Sequence, residues 1–168
     1  MAHKVIAPPY DVINAKEASD LAKGRPNSFL HISRPEIDLE ENIQYNDPSV
    51  YETGKQNLRK MIEDDVLIED AEDMIYLYEM IDNDIHQLGI AAVSSVEAYE
   101  DNLIKRHEFT KPDKELDRVN NISSLNAQTG PVLLTYRDNE KLSSLLEMIS
   151  DRESPLYDVK SIDGISHR

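Results

Sequence analysis

The stretch IKRHEFTKPDKELDR, residues 104–118, gathers Lys105, Arg106, His107, Lys111, Lys114 and Arg118 into the densest cationic cluster of a chain whose net charge is −15. An arginine can bond a phosphate or carboxylate through two N–H groups at once, and Lys105 and Arg118 are the candidate anion ligands. Pro112 marks a helix start, where free N–H groups and the positive end of the dipole also suit an anion. The competing reading is a solvated helix start whose mixed charges pair at i, i+4, with Asp117 and Glu115 as neighbours of the basic residues. His107 is a candidate general acid or base, or else a hydrogen-bonded structural histidine. Glu108 follows it directly, so in an extended segment the two side chains point to opposite sides. Thr110, three residues before Asp113, is either part of the site or the cap of the helix.

Two further stretches carry the same kind of chemistry. HISR supplies His31 and Arg34. If residues 28–33 form a strand, His31 and Ser33 share a face and Arg34 lies at the strand end, a common position for ligand contacts. APPYDV places Tyr10 and Asp11 after two prolines, which stiffen the turn. Asp11 is the second candidate for moving a proton, and the Tyr10 hydroxyl a candidate contact. The bland alternative is that Asp11 caps a turn. We expect the three stretches to converge in one pocket.

The elements that must position these residues can be read along the chain. Val5–Ala7 has strand character and stops at Pro8. Asn14 and Glu17 form a capping box before a helix that buries Ala18, Leu21 and Ala22 and ends at Gly24. Residues 28–33 read as a strand and residues 36–47 as loop. Asp47-Pro48 starts a helix that runs to about Asp64, with Tyr51, Leu58, Met61 and Ile62 on one face. Residues 73–81 and 85–96 flank a short turn and predict a hairpin. The helix opened by Pro112 carries Leu116, Val119, Ile122 and Leu125 on one side. Residues 131–136 read as a strand, residues around 142–149 as a helix and residues 156–162 as a last strand. About four helices and five or six strands in mixed order predict one α+β domain over residues 1–168, with a mixed or mainly antiparallel sheet; a parallel α/β sheet is the alternative.

Composition narrows the partners. A net charge of −15 disfavours nucleic acid and anionic membrane surfaces. The absence of cysteine excludes disulfides, thiolate nucleophiles and cysteine zinc sites. The first residues lack the apolar region of a signal peptide, and no run approaches a membrane span, so a cytoplasmic location is expected. The acidic run EDDVLIEDAED, residues 63–73, lacks calcium-loop spacing, and neither a phosphate-binding P-loop nor a dinucleotide fingerprint is present. The cofactor is left open; magnesium would enter with a phosphorylated ligand and one carboxylate, and no protein metal site is expected.

At APPYDVI, HISRPE, IKRHEFT, Asp117-Arg118 and GPVLLTY the sequence resembles the domain-of-unknown-function family numbered 1015, a group of bacterial and archaeal proteins. The motifs follow the family's order across nearly the whole chain, and the final DGISHR is similar to the start of another family motif. The resemblance implies a prokaryotic cytosolic protein. Its members are sometimes encoded beside serine-biosynthesis genes, which implies small-metabolite chemistry. Family members extend further at both ends, so a fragment or short relative is expected. The expected function is an enzyme acting on a small phosphorylated metabolite by phosphoryl transfer or phosphate-ester hydrolysis. The alternative is a non-catalytic binding or regulatory module.

Overall fold

A computed structural model describes residues 1–40, 43–107 and 109–168. The chain is α+β. Its helices are α1 (Ala2–Val5), α2 (Ala15–Ala22), α3 (Leu30–Ser33), α4 (Pro48–Glu63), α5 (Val96–Glu100), α6 (Pro112–Leu125) and α7 (Glu140–Arg152), with a 3-10 turn over Pro35–Asp38. The strands are β1 (Tyr76–Asp82), β2 (Ile85–Ala91), β3 (Val159–Lys160) and β4 (Ser166–His167). They form one sheet of order β2-β1-β4-β3, antiparallel at every pairing, so the parallel alternative is excluded for the described residues.

Local signals fix several ends. Asn14 accepts from the Glu17 amide at 3.0 Å, and Glu17 accepts from the Asn14 amide at 2.8 Å, closing the capping box that starts α2. Asp47 accepts from the Ser49 amide, with Pro48 at the first helical position of α4. The β1–β2 hairpin turns through Asn83 and Asp84, and Asn83 takes φ 50°, a region asparagine tolerates.

The small core lies among α3, α4 and α6. Ile32, Met61 and Leu125 are buried together, with Phe29, Leu58 and Val66 packed around them. Gly54 permits this closeness: a Cβ there would lie 2.8 Å from Pro35 Cγ and 3.3 Å from the Ile32 carbonyl oxygen. The accessible surface is 13383 Å². A compact folded chain of this mass exposes roughly 8,400 Å², so much apolar surface stays uncovered, including Leu133 and Leu116.

Four expectations are corrected. Val5–Ala7 is not a strand, because the chain enters through the helical turn α1. Residues 28–33 do not extend as a strand: Leu30–Ser33 turn as α3, with Leu30 and Ile32 both buried and Arg34 just beyond the turn. Pro35 then forces Arg34 out of the helix, at φ −135° and ψ 57°. Residues 131–136 have no strand pairing among the described residues, and strand propensity without a ladder partner does not make a strand. On α6 the packed face is Asp117, Asn121 and Leu125, while Leu116 and Val119 are exposed. Asp117 meets α4 through a polar contact, the Tyr51 hydroxyl, which a search for apolar periodicity overlooks.

Candidate functional site

Tyr10 is the hub where several of the singled-out stretches meet. Arg34, at the end of α3, reaches back to the turn after the two prolines. Its Nη1 donates to the carbonyls of Tyr10 at 3.0 Å and Ile13 at 3.1 Å. Its Nε lies 2.7 Å from Glu36 Oε1, an ionic contact rather than an aligned hydrogen bond. Arg34 is therefore occupied as a clamp that holds the loop and aims the tyrosine. The guanidinium of Arg118 covers the Tyr10 ring, 4.6 Å from its centroid. A Cβ on Gly130 would lie 3.6 Å from Tyr10 Cε1, so the start of GPVLLTY packs against the ring as well.

Asp117 fixes Arg118 from below. Its Oδ2 accepts from Arg118 Nε at 3.2 Å and Nη2 at 2.6 Å, and its Oδ1 accepts from the Tyr51 hydroxyl of α4 at 2.8 Å. Asp117 is 6% exposed, so this carboxylate needs those partners. Burial pushes the Tyr51 hydroxyl up, and the Asp117 hydrogen bond and charge push it further, so it stays a donor. Burial works against the Arg118 charge. The hydrogen bond and charge of Asp117 outweigh it and hold the guanidinium above its ordinary value.

Two more cations of the segment sit over tyrosines. Lys114 Nζ is 4.4 Å from the Tyr45 ring centroid and Arg106 is 4.6 Å from that of Tyr99. Lys114 and Arg118 are one turn apart on α6, with Lys111 just before it, so three cations share one flank of the helix start. Cation–π contact orients such side chains while leaving charge and N–H groups at the rim. The helix start has no side-chain cap, because Lys111 holds the cap position. Thr110 instead donates to Glu115 Oε2 at 3.2 Å, correcting the expectation that it caps α6. Asp113 and Glu115 already occupy the first turn, where their charges offset the positive end of the dipole.

The remaining candidates make none of these contacts among the described residues. His31 has its Nδ1 at 2.9 Å from Asp38 Oδ1 and its Nε2 at 3.2 Å from the Arg25 carbonyl. Both ring nitrogens are engaged, and the ring lines a separate cavity of about 560 Å³ with Lys23, Arg25 and Asp38. Asp11, Lys105 and His107 are exposed. Glu108 lies outside the described residues. Tyr51 was legible only as an apolar-face residue; the signal for its role is that a buried tyrosine hydroxyl seeks a partner.

The model of the family described as Protein of unknown function (DUF1015) matches residues 1–168. The chain belongs to this family. No curated protein and no solved structure matches it. Four of the five stretches by which the sequence resembles the DUF1015 family, APPYDVI, HISRPE, Asp117-Arg118 and GPVLLTY, are brought into contact by Tyr10, Arg34, Arg118 and Gly130; IKRHEFT is not among these contacts. No helix of the described residues is long and apolar enough to cross a membrane.

Proposed function

We propose that the Tyr10–Arg118 platform holds the anionic group of a small phosphorylated metabolite. We further propose that the protein acts on it by phosphoryl transfer or phosphate-ester hydrolysis, with His107 or Asp11 moving the proton. The observation that carries this reading is the half-exposed Arg118, stacked on Tyr10 and held at Nε and Nη2 by Asp117. Its Nη1 edge is the part left for a ligand, and Lys114 one turn away adds charge. Such chemistry rests on positioning and charge stabilisation, which these residue types supply. Magnesium would come with the ligand phosphate, since among the described residues no three His, Asp or Glu side chains gather as a metal site.

A second reading is a non-catalytic sensing module. The exposure of His107 and Asp11 favours it, because neither has an orienting partner among the described residues. A thermal-shift screen with magnesium, nucleotides and phosphorylated metabolites tests the binding claim. Ligand at a hundred times its Kd adds about 2.7 kcal/mol, or roughly 5–11 °C for a domain of this size. The shift should vanish in Arg118→Ala. Turnover that is lost in His107→Ala or Asp11→Ala with binding retained identifies the enzyme. Binding without turnover identifies the module, and no shift from any ligand overturns both readings.

A further inference from the structure

The sheet carries a second set of reactive side chains that the anion platform does not use. Tyr78 on β1 and His167 on β4 share a sheet face, since His167 pairs with Met80, two residues along β1 from Tyr78. The Tyr78 hydroxyl is 2.7 Å from His167 Nδ1, and the two rings stack at 6.0 Å and 27°. On the other side of the imidazole, Nε2 is 3.0 Å from Ser161 Oγ. Ser161 opens the turn between β3 and β4. That turn is closed by its amide on the Ile165 carbonyl at 2.8 Å and by the Gly164 amide on the Ser161 carbonyl at 3.0 Å. Gly164 takes φ +92°, which favours glycine. Tyr78 is 43% exposed, and opposite it on β2 a Cβ at Gly89 would meet nothing within 4 Å, so the face beside the ring is open.

A hydroxyl within reach of an imidazole, whose other nitrogen is oriented by a third group, is the arrangement of an activated nucleophile. We propose that Ser161 is a covalent nucleophile, His167 its base and Tyr78 the residue that positions the imidazole. In this arrangement Nδ1–H donates to the Tyr78 oxygen, and Nε2 accepts the Ser161 proton. As Oγ forms its bond to an acyl carbon, the bond from that carbon to the leaving group breaks. The leaving group departs with the proton from Nε2. The products are an acyl-serine and the protonated leaving group; water then releases the acid. Asp163 also touches Ser161 Oγ, and its carboxylate is held below its ordinary value, first by that hydrogen bond. A fixed negative charge beside the nucleophile disfavours an anionic phosphoryl donor. The open floor beside Tyr78 and the half-exposed Tyr76 suit an uncharged acyl group. The substrate class is therefore a small uncharged ester or thioester.

The competing role for Ser161 is purely to brace the turn by donating to Asp163 and to the Ile165 carbonyl. The full chain incubated with p-nitrophenyl acetate separates the two. The expected result is a burst of nitrophenolate and a single acetyl group that peptide mapping places on Ser161. His167→Ala should slow acylation at least tenfold, and Tyr78→Phe, which keeps the ring stack, several-fold, each with unchanged far-UV circular dichroism. Mapping on the unmodified chain needs no variant, so a misfolded substitution does not spare the proposal. An acetyl group only on lysines or the N-terminus, or none, overturns it. Acylation of Ser161 at the same rate in a folded His167→Ala protein also overturns it.

Discussion

Tyr51→Phe removes one oxygen from the base of the candidate site and leaves the ring in the α4–α6 contact. Tyr51 is 7% exposed and its hydroxyl donates to Asp117 Oδ1 at 2.8 Å. The acceptor is a buried carboxylate whose only other bonds among the described residues come from Arg118. A hydrogen bond to a charged group contributes about 1.5–3 kcal/mol. The lower half of that range applies, because Arg118 is 39% exposed on its side chain and water can screen the carboxylate from that side. The expected loss is about 1.5–2 kcal/mol, or roughly 3–8 °C in Tm for a domain of this size. Urea unfolding followed by circular dichroism measures it, and Asp117→Ala alone and combined with Tyr51→Phe completes a cycle. A coupling of about 1 kcal/mol or more between the two positions is expected. A loss under about 0.5 kcal/mol with no coupling would refute the argument that Asp117 is held from α4.

Three other perturbations follow from the same packing. Gly54→Ala gains up to about 1 kcal/mol of helix propensity, but its methyl would lie 2.8 Å from Pro35 Cγ and 3.3 Å from the fixed Ile32 carbonyl. Overpacking costs about 1–3 kcal/mol, so Tm should fall, and a rise in Tm would show that α4 is not pressed against residues 32–35. Arg34→Lys keeps the charge but loses the fork that holds two carbonyls, so amides of residues 10–14 should exchange faster with deuterium; unchanged exchange would show that Arg34 does not clamp the loop. Glu79 is buried, which opposes its charge, yet the hydrogen bonds of His86 and Ser150 and the charges of His86 and Arg168 hold its carboxyl below the ordinary range. Its folded value is depressed relative to the unfolded chain, so its stabilisation is present above the unfolded value near ~4.3 and is lost as pH falls through the folded one. Urea midpoints should therefore drop below about pH 4.5, and less so in Glu79→Gln; an equal drop in that variant would remove Glu79 as a cause.

What could be read from the sequence was what depends on neighbours in the chain. The Asn14–Glu17 box, Asp47-Pro48, Pro112 and the turn at Asn83 each act over three or four residues, and each appears as expected. Stretches whose conformation depends on distant partners depart from their local propensity. Residues 28–33 have strand propensity, but Leu30–Ser33 form one helical turn ahead of Pro35, with no strand partner beside it among the described residues. Residues 131–136 look like a strand and stay unpaired. On α6 the apolar period points to Leu116, Val119, Ile122 and Leu125, of which only Leu125 is buried; the contact with α4 also runs through Asp117, because a buried carboxylate with a tyrosine donor can replace apolar packing. Of the candidate site, the residue types were legible and their division of labour was not. Arg34 and Arg118 look alike in sequence. Only the fold shows Arg34 spent on backbone carbonyls and Arg118 presented on a tyrosine.

We propose that anionic ligands meet this chain at Tyr10 and the Lys114–Arg118 flank of α6. The most direct measurement is a titration of the ¹⁵N-labelled chain with inorganic phosphate and with phosphoserine, following every amide. Saturable shifts are expected at Tyr10, Lys114 and Arg118; they should weaken with added salt and disappear in Arg118→Ala. Shifts confined to the cavity around Lys23, Arg25 and His31, or none at any residue, would contradict it.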